Sequence, residues 1–382
     1  MKEMKKYTIA EVCSRLSSGK GIPASKVTPT GLYPVIGGNG VRGYTDSFNF
    51  DGECAIIGRQ GANCGNVRYF QGKAYMTEHA IVAIGNENAN TKYLACLFSL
   101  MHLGNLSAQS AQPGLSVQTL SKQIVYLPEI STQNQIADII KSLDTKIEIN
   151  KQINDNLEQQ VKALYKSWFV DFEPFKDGDF VESELGLIPE GWKVAELSSV
   201  TKQITEKVKD RTDVKVLSPV NTGELVLSEE YFTKQVFSES VSKYIVVKPL
   251  QFAYNPARVN IGSLGMNTFT FDGCVSPVYV VFECESNYHH FFDYYRKTDG
   301  FKEEVLTRAI GGVRQTLSYK DFSLIKLVYP PQEVVEKFNS IYGKLLDNIN
   351  SIKSENTKLS DLRDTLLPKL MSGELKINEI DC

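Results

Sequence analysis

Arg59 and Gln60 stand side by side, and Asn63 and Asn66 follow them. Far downstream, Asn255, Arg258, Asn260 and Asn267 form a second set. These residue types can read base edges in a DNA major groove. Arginine donates twice to guanine, and Asn or Gln pairs twice with adenine. Arg42, Arg68 and Lys73 near the first set, and Arg308 and Arg314 near the second, are candidates for holding phosphates. The same stretches are dense in Gly and Asn, which are also ordinary turn formers. Taken singly, each residue is better read as a turn former. Taken as two groups, the loops point to recognition.

Other chemistry is not evident. "GGNG" at Gly37–Gly40 lacks the lysine and helix of a phosphate loop, so a tight turn is expected there. "NPAR" at Asn255–Arg258 touches on the motif of adenine methyltransferases, but lacks the second proline and the stacking aromatic residue. His79, His102, His289 and His290 have no cysteine or carboxylate at metal-ligand spacing. No nucleophile elbow appears. We expect no catalytic residue and no metal site.

The candidate loops need a scaffold, and the sequence supplies it twice. "ECAIIGRQGANCGNV" (Glu53–Val67) corresponds to "QFAYNPARVNIGSL" (Gln251–Leu264), and "HAIVAI" to "SPVYVVF". Each reads as strand, loop, strand. Ile9-Ala10-Glu11-Val12 is echoed by Val194-Ala195-Glu196-Leu197, an offset of 185. "QTLS" occurs at Gln118–Ser121 and again at Gln315–Ser318, an offset of 197. Glycine-bearing turns (Pro113-Gly114 and Gly311-Gly312) precede each copy, and a short apolar strand ending in proline follows it.

A long helix then begins in both halves. Ile136, Ile140, Leu143, Ile147, Asn150, Asn154, Leu157, Val161, Leu164 and Trp168 are spaced alternately by four and three. Apolar groups every 3.5 residues make a heptad seam. The same phase returns 202 residues later at Phe338, Tyr342, Leu345, Ile349, Ile352, Asn356, Leu359, Arg363, Leu366 and Leu370, with Arg363 as a charged interruption. A polar residue on a seam selects one register. In an antiparallel pair centred on the repeat, Asn150 would face Asn356 and Asn154 would face Ile352. The competing reading is two ordinary surface helices, each packed on its own domain.

Composition sets outer bounds. The chain has 382 residues, 42% of them hydrophobic, enough for two or three domains. No apolar run approaches the ~20 residues that cross a bilayer. The N-terminal stretch is not a signal peptide. Seven scattered cysteines read as reduced thiols of a cytoplasmic protein. Net charge is −3, but residues 1–127 hold 12 basic against 7 acidic residues, whereas residues 173–329 hold 18 against 22.

Several segments resemble one family. "PEGW" before the second unit, "GLYPVIGGNGVRGYTDSF" (Gly31–Phe48), "LPEISTQNQIADIIKSLDTKIEINKQINDNLEQQVKALYKSWFVDFEPF" (Leu127–Phe175) and "LRDTLLPKLMSGEL" (Leu362–Leu375) resemble the specificity subunits of type I restriction–modification systems. The resemblance implies an α+β fold in which two mixed α/β target recognition domains are separated by two long helices. The helices form an antiparallel coiled coil with pseudo-twofold internal repeat. Domain bounds follow as 1–128, 129–172 (central helix), 173–331 (linker and second recognition domain) and 332–382 (distal helix and tail). The chain itself would bind no cofactor and catalyse nothing. It would read a gapped, asymmetric site on double-stranded DNA. Two adenine methyltransferase subunits using S-adenosylmethionine, and two translocase–nuclease subunits using ATP and Mg, would be its partners. The alternatives are a non-catalytic coiled-coil scaffold for protein assembly, which the net negative charge suits, and, more weakly, a fused methyltransferase.

Overall fold

A computed structural model describes residues 4–377, apart from 62, 108–113, 233–237, 239, 286 and 310–315. Two compact units are present. One comprises Met1–Ile153 with Ile352–Cys382, and the other Asn154–Ser351. The two long helices are Ile130–Phe169 and Gln332–Ser372, and each unit contains one half of each.

In the first unit, Lys5–Thr8 pairs antiparallel with Ile124–Leu127. A six-stranded sheet follows in the spatial order Cys13–Ser18, Ala80–Gly85, Phe50–Gly58, Val67–Met76, Tyr33–Gly37, Gly40–Thr45. Residues 54–57 and 80–83 read as short unbroken apolar runs because both of their faces are covered. Ala55, Ile57, Ile81 and Ala83 join the cluster of helix Thr91–Leu100, whereas Cys54, Ile56, Ala80 and Val82 join a second cluster on the other face. The first cluster also takes in Ile136, Ile140, Leu366 and Leu370 from the two long helices.

The second unit repeats this plan with a broken sheet. Thr201–Ile204, Val280–Cys284, Phe252–Tyr254 and Leu264–Met266 form four strands in that order. They reproduce the first four strands of the six-stranded sheet. A separate sheet holds Leu225–Leu227, Lys215–Pro219, Gly273–Val275 and Ile245–Val247. The break falls where Val67–Met76 is continuous in the first unit but Leu264–Met266 and Gly273–Val275 are separate strands in the second. Aromatic rings fill this core. Phe169 lies 4.9 Å from both Phe291 and Phe338, and Phe252 stacks on Phe282 at 5.2 Å.

The helix halves run antiparallel inside each unit. In the first, Asn150 Nδ2 donates to Asn356 Oδ1 at 2.9 Å and Asn356 Nδ2 donates to Ile147 O at 3.3 Å. In the second, Val161, Leu164 and Trp168 share a cluster with Phe338, Tyr342 and Leu345. Leu143, Ile147, Leu157, Ile349, Ile352 and Leu359 are buried or half-buried, as a seam requires. The interruption at Arg363 is neutralised by Asp144, 3.0 Å away on the other helix.

The repeat is real, but two of its offsets need correction. Ile9 N donates to Gln123 O, and Leu197 N donates to Ile325 O. Helix Ile9–Val12 therefore corresponds to helix Leu197–Val200, an offset of 188 in place of 185. "QTLS" occupies different positions in the two units. In the first it lies inside helix Val117–Ser121, which is capped by Ser116. In the second, Ser318 is itself the cap of helix Tyr319–Phe322, and Gln315 and the 311–312 turn lie outside the described residues. The true equivalence is Leu115-Ser116 with Leu317-Ser318, an offset of 202. In both units the leucine is buried and the serine accepts a backbone N–H. The matching letters come from a shifted register.

Two predictions follow from this packing. Asn154 is buried and its Oδ1 has no partner among the described residues. Replacing it with leucine should raise the unfolding free energy in urea by about 1–2 kcal/mol, the cost of an orphaned buried polar atom. His289 is pushed down to about 4, first by burial and then by the neighbouring His290, itself lowered by burial. Unfolded histidines titrate near ~6.5. As pH falls from ~6.5 toward about 4, the unfolded chain takes up protons that the folded chain refuses, so stability falls over that window. Thermal unfolding of the intact chain at a series of pH values should show this slope, and His289→Gln should flatten it.

Candidate nucleic-acid interface

The first candidate loop, residues 59–66, is held by its own backbone. Gly58 N donates to Asn66 O at 2.9 Å, Gly65 N to Gly58 O at 2.8 Å, and Cys64 N to Gly61 O at 2.9 Å. Asn66 Nδ2 donates to Asn63 Oδ1 at 3.0 Å. Leu115 N donates to Arg59 O at 2.8 Å, which ties the loop to the exit segment of the unit.

The "GGNG" turn joins Tyr33–Gly37 to Gly40–Thr45, as its composition predicts, and it packs against this loop. A Cβ on Gly38 would lie 3.2 Å from Gly58 Cα. The flanking glycines leave room for two arginines. A Cβ on Gly37 would meet Arg42 Cδ at 2.8 Å, and one on Gly40 would meet Arg68 Nη1 at 2.0 Å. Arg68 Nη1 donates to Asn39 O at 2.6 Å from its place over the turn. The fold thus gathers Arg42, Arg59, Gln60, Asn63, Asn66 and Arg68 on one edge of the first unit. Gln60, Asn66, Arg42 and Arg68 are exposed, and Arg59 and Asn63 are half-buried. His79, read from the sequence as an ordinary histidine, belongs with them. Its Nδ1 lies 3.0 Å from Gln60 Oε1, and its backbone carbonyl accepts Arg59 N at 3.0 Å. Only the folding of Ala80–Gly85 beside Phe50–Gly58 brings it there.

Lys73 does not join this edge. It lies toward the far end of Val67–Met76, 3.8 Å from Asp51 and over the Phe48 ring at 4.9 Å.

The second loop has the same frame with other letters. Asn255 N donates to Ser263 O at 3.0 Å, as Gly58 does to Asn66, and Leu317 N donates to Pro256 O at 3.0 Å, as Leu115 does to Arg59. Asn255 Oδ1 caps its own turn at Ala257 N, Arg258 is exposed, and Asn260 stands in the turn Val259–Ile261. Asn267 is fully buried, and its amide is spent on Val247 O, Phe271 O and Phe269 N. It therefore shapes a turn and presents nothing outward. Arg308 closes helix Asp299–Arg308, which packs on the 259–261 turn, and is paired with Glu304 at 3.0 Å. Arg314 lies outside the described residues.

Among the described residues, no group of three or more His, Cys, Asp or Glu is placed to hold a metal. Burial pushes the Cys13 and Cys54 thiols up to about 12, which keeps them neutral and poor nucleophiles. No helix is long and apolar enough to cross a membrane among the described residues.

Residues 1–159 match the family model for the type I restriction modification DNA specificity domain. The chain is 27% identical over 312 residues to the type I restriction enzyme MjaIX specificity subunit of Methanocaldococcus jannaschii, covering 78% of this chain and 72% of that protein. It is 37% identical over 147 residues to the EcoprrI specificity subunit of Escherichia coli, covering 37% of this chain and 36% of that protein. The crystal structure of a type I restriction–modification S subunit from M. genitalium superposes with a TM-score of 0.68 at 16% identity, covering 97% of this chain and 96% of that one. Residues 1–159 thus carry the match to that domain, and over most of its length the chain is similar to type I restriction–modification specificity subunits. The likeness to that crystal structure is one of fold. The two loop frames described above lie one in each compact unit.

The loop frame predicts a substitution effect. A Cβ on Gly58 would lie 2.4 Å from Asn63 O, a backbone atom that must then move. Gly58→Ala should cost about 1–3 kcal/mol, the range for overpacking, and should release the Gly65 amide to hydrogen exchange. Gly114→Ala, where a Cβ meets nothing within 4 Å, should leave that amide protected.

Proposed function

We propose that this specificity subunit reads a split, gapped site on double-stranded DNA, one half with each recognition domain. It would thereby direct adenine methylation by two partner methyltransferase subunits and cleavage by two partner translocase–nuclease subunits. S-adenosylmethionine and ATP with Mg would be used by those partners, in the cytoplasm. The observation that carries this reading is the pair of loops in one shared hydrogen-bond frame, Gly58–Asn66 and Asn255–Ser263, with different side chains on each. A shared frame supports the same mode of approach to DNA in both units. Different side chains support different bases, and so an asymmetric site. In the first unit the reading group would be Arg59, Gln60, Asn63 and Asn66, with Arg42 and Arg68 on phosphates. In the second it would be Asn255, Arg258 and Asn260, with Arg308 and Arg314 on phosphates. Lys73 would stand apart from the first group as a peripheral phosphate contact.

The test is co-expression with the methyltransferase subunits followed by genome-wide detection of methylated adenine. A gapped, asymmetric motif that disappears on deletion of this chain is expected. Exchanging Glu53–Val67 for the corresponding loop of another specificity subunit should change one half of that motif and leave the other intact. A stable complex that methylates nothing would favour the protein-assembly reading instead.

A further inference from the structure

Two polar contacts fasten the first recognition domain to the helices of its unit. Near the start of the first long helix, the buried Gln133 donates to Asn88 O at 3.0 Å and Pro128 O at 2.9 Å, and accepts from Asn90 N at 3.0 Å. Eleven residues on, about 16 Å along the helix, Asp144 accepts Lys92 Nζ at 2.5 Å on one oxygen and Arg363 Nη1 at 3.0 Å on the other. Lys92 opens helix Thr91–Leu100, and Arg363 lies on the second long helix. One carboxylate thus joins three elements. Lys92 Nζ also lies over the Tyr69 ring at 4.7 Å, and the Tyr69 hydroxyl donates to Glu53. The contact therefore continues into both strands that flank the 59–66 loop.

The second unit does not repeat this arrangement. At the offset of 202, Val335 stands for Gln133, Leu346 for Asp144, and Val161 for Arg363, and all three lie in or against its apolar cluster. Its charged side-chain network between domain and helix is sealed, and the exposed contact of Asn287 Nδ2 with Glu336 Oε1 on the helix is long, at 3.4 Å. Tyr342 Oη donates to Asp293 at 3.1 Å, and the side chains of Asp293 and Arg296 are each 7% exposed. In the first unit Lys92 is buried, its side chain 9% exposed, but the side chains of Asp144 and Arg363 are 34% and 32% exposed, and all three line an open groove of about 1140 Å³ with Lys141, Glu148 and Lys151. Dissolved ions reach and screen charges in an open groove far better than buried ones.

We propose that Lys92, Asp144 and Arg363 form a salt-sensitive clamp that positions the first recognition domain. Reading of the first half-site then depends on the Asp144 carboxylate, and reading of the second does not. Apolar contacts such as Tyr93 and Phe98 with Ile136 and Ile140 hold the domain in place. Burial of that kind is non-directional, whereas charged hydrogen bonds fix an angle. Asp144 and Lys92 are positioning residues, remote from any base.

The test rests on the proposed function and uses the complex with its methyltransferase subunits. Methylation is measured on a library of sites substituted in either half, at low and at high salt. Asp144→Asn and Lys92→Met should each lower first-half discrimination by about tenfold, in the range of a coupled charged pair, and leave second-half discrimination unchanged. Lys92→Arg should retain it. The double variant Lys92→Met with Asp144→Leu should recover thermal stability, as apolar replacement of an ion pair often does, but not discrimination. Unchanged first-half discrimination in Asp144→Asn, equal loss in both halves, or full recovery in the double variant would overturn the clamp. If the wild-type complex methylates no motif, the functional reading fails and hydrogen exchange of Thr91–Leu100 in the free chain decides the clamp. Protection that drops with salt in the wild type but not in the double variant supports it, and salt-independent protection in the wild type overturns it.

Discussion

Asn150 and Asn356 meet in the apolar seam between the two long helices, and much of the first unit depends on that contact. Asn150 is 1% exposed, so a partner helix slipped by one turn would leave its amide unpaired in an apolar setting. The correct register brings Asp144 to Arg363 and sets Ile136 and Ile140 among Leu366 and Leu370. The six-stranded sheet and helix Thr91–Leu100 build on that face. Gln133 grips the Asn88–Asn90 turn, Asp144 grips Lys92, and helix Thr91–Leu100 carries the sheet whose edge presents the 59–66 loop.

The two units solve one problem with different chemistry. Each must seat a mixed sheet on a pair of antiparallel helix halves and present a loop in a fixed frame. The first uses a continuous six-stranded sheet and polar contacts at an open groove. The second divides the sheet and fills the junction with aromatic rings around Phe169, Phe291 and Phe338. The loop frame survives both solutions because it is made of backbone hydrogen bonds, which do not depend on the side chains they carry. Side chains on such a frame are free to differ.

Local chemistry made several features legible before any coordinates. The four-and-three spacing from Ile136 to Trp168 and from Phe338 to Leu370 located both long helices and their antiparallel partner faces. The strand–loop–strand pattern of Glu53–Val67 and Gln251–Leu264 located both loops. Identical letters were a poorer guide than pattern. "QTLS" recurs out of step by five positions: its serine caps a helix in the second unit but ends one in the first, whereas burial of the leucine and capping by the serine recur at Leu115-Ser116 and Leu317-Ser318. Arg363 looked like a flaw in the seam because its counter-charge, Asp144, lies 219 positions earlier in the chain.

The sequence by itself determined the periodicities, the repeat, the loop positions and the family resemblance, since each of these is written in residues close together along the chain. Tertiary structure alone decided which polar side chains remain available. It buried Asn267 in its own turn, set Lys73 beyond the first cluster and brought His79 to Gln60. The physical reason is that a donor or acceptor is free only if no other group reaches it first. Which groups reach it is settled by segments far apart in sequence that packing brings within about 3 Å.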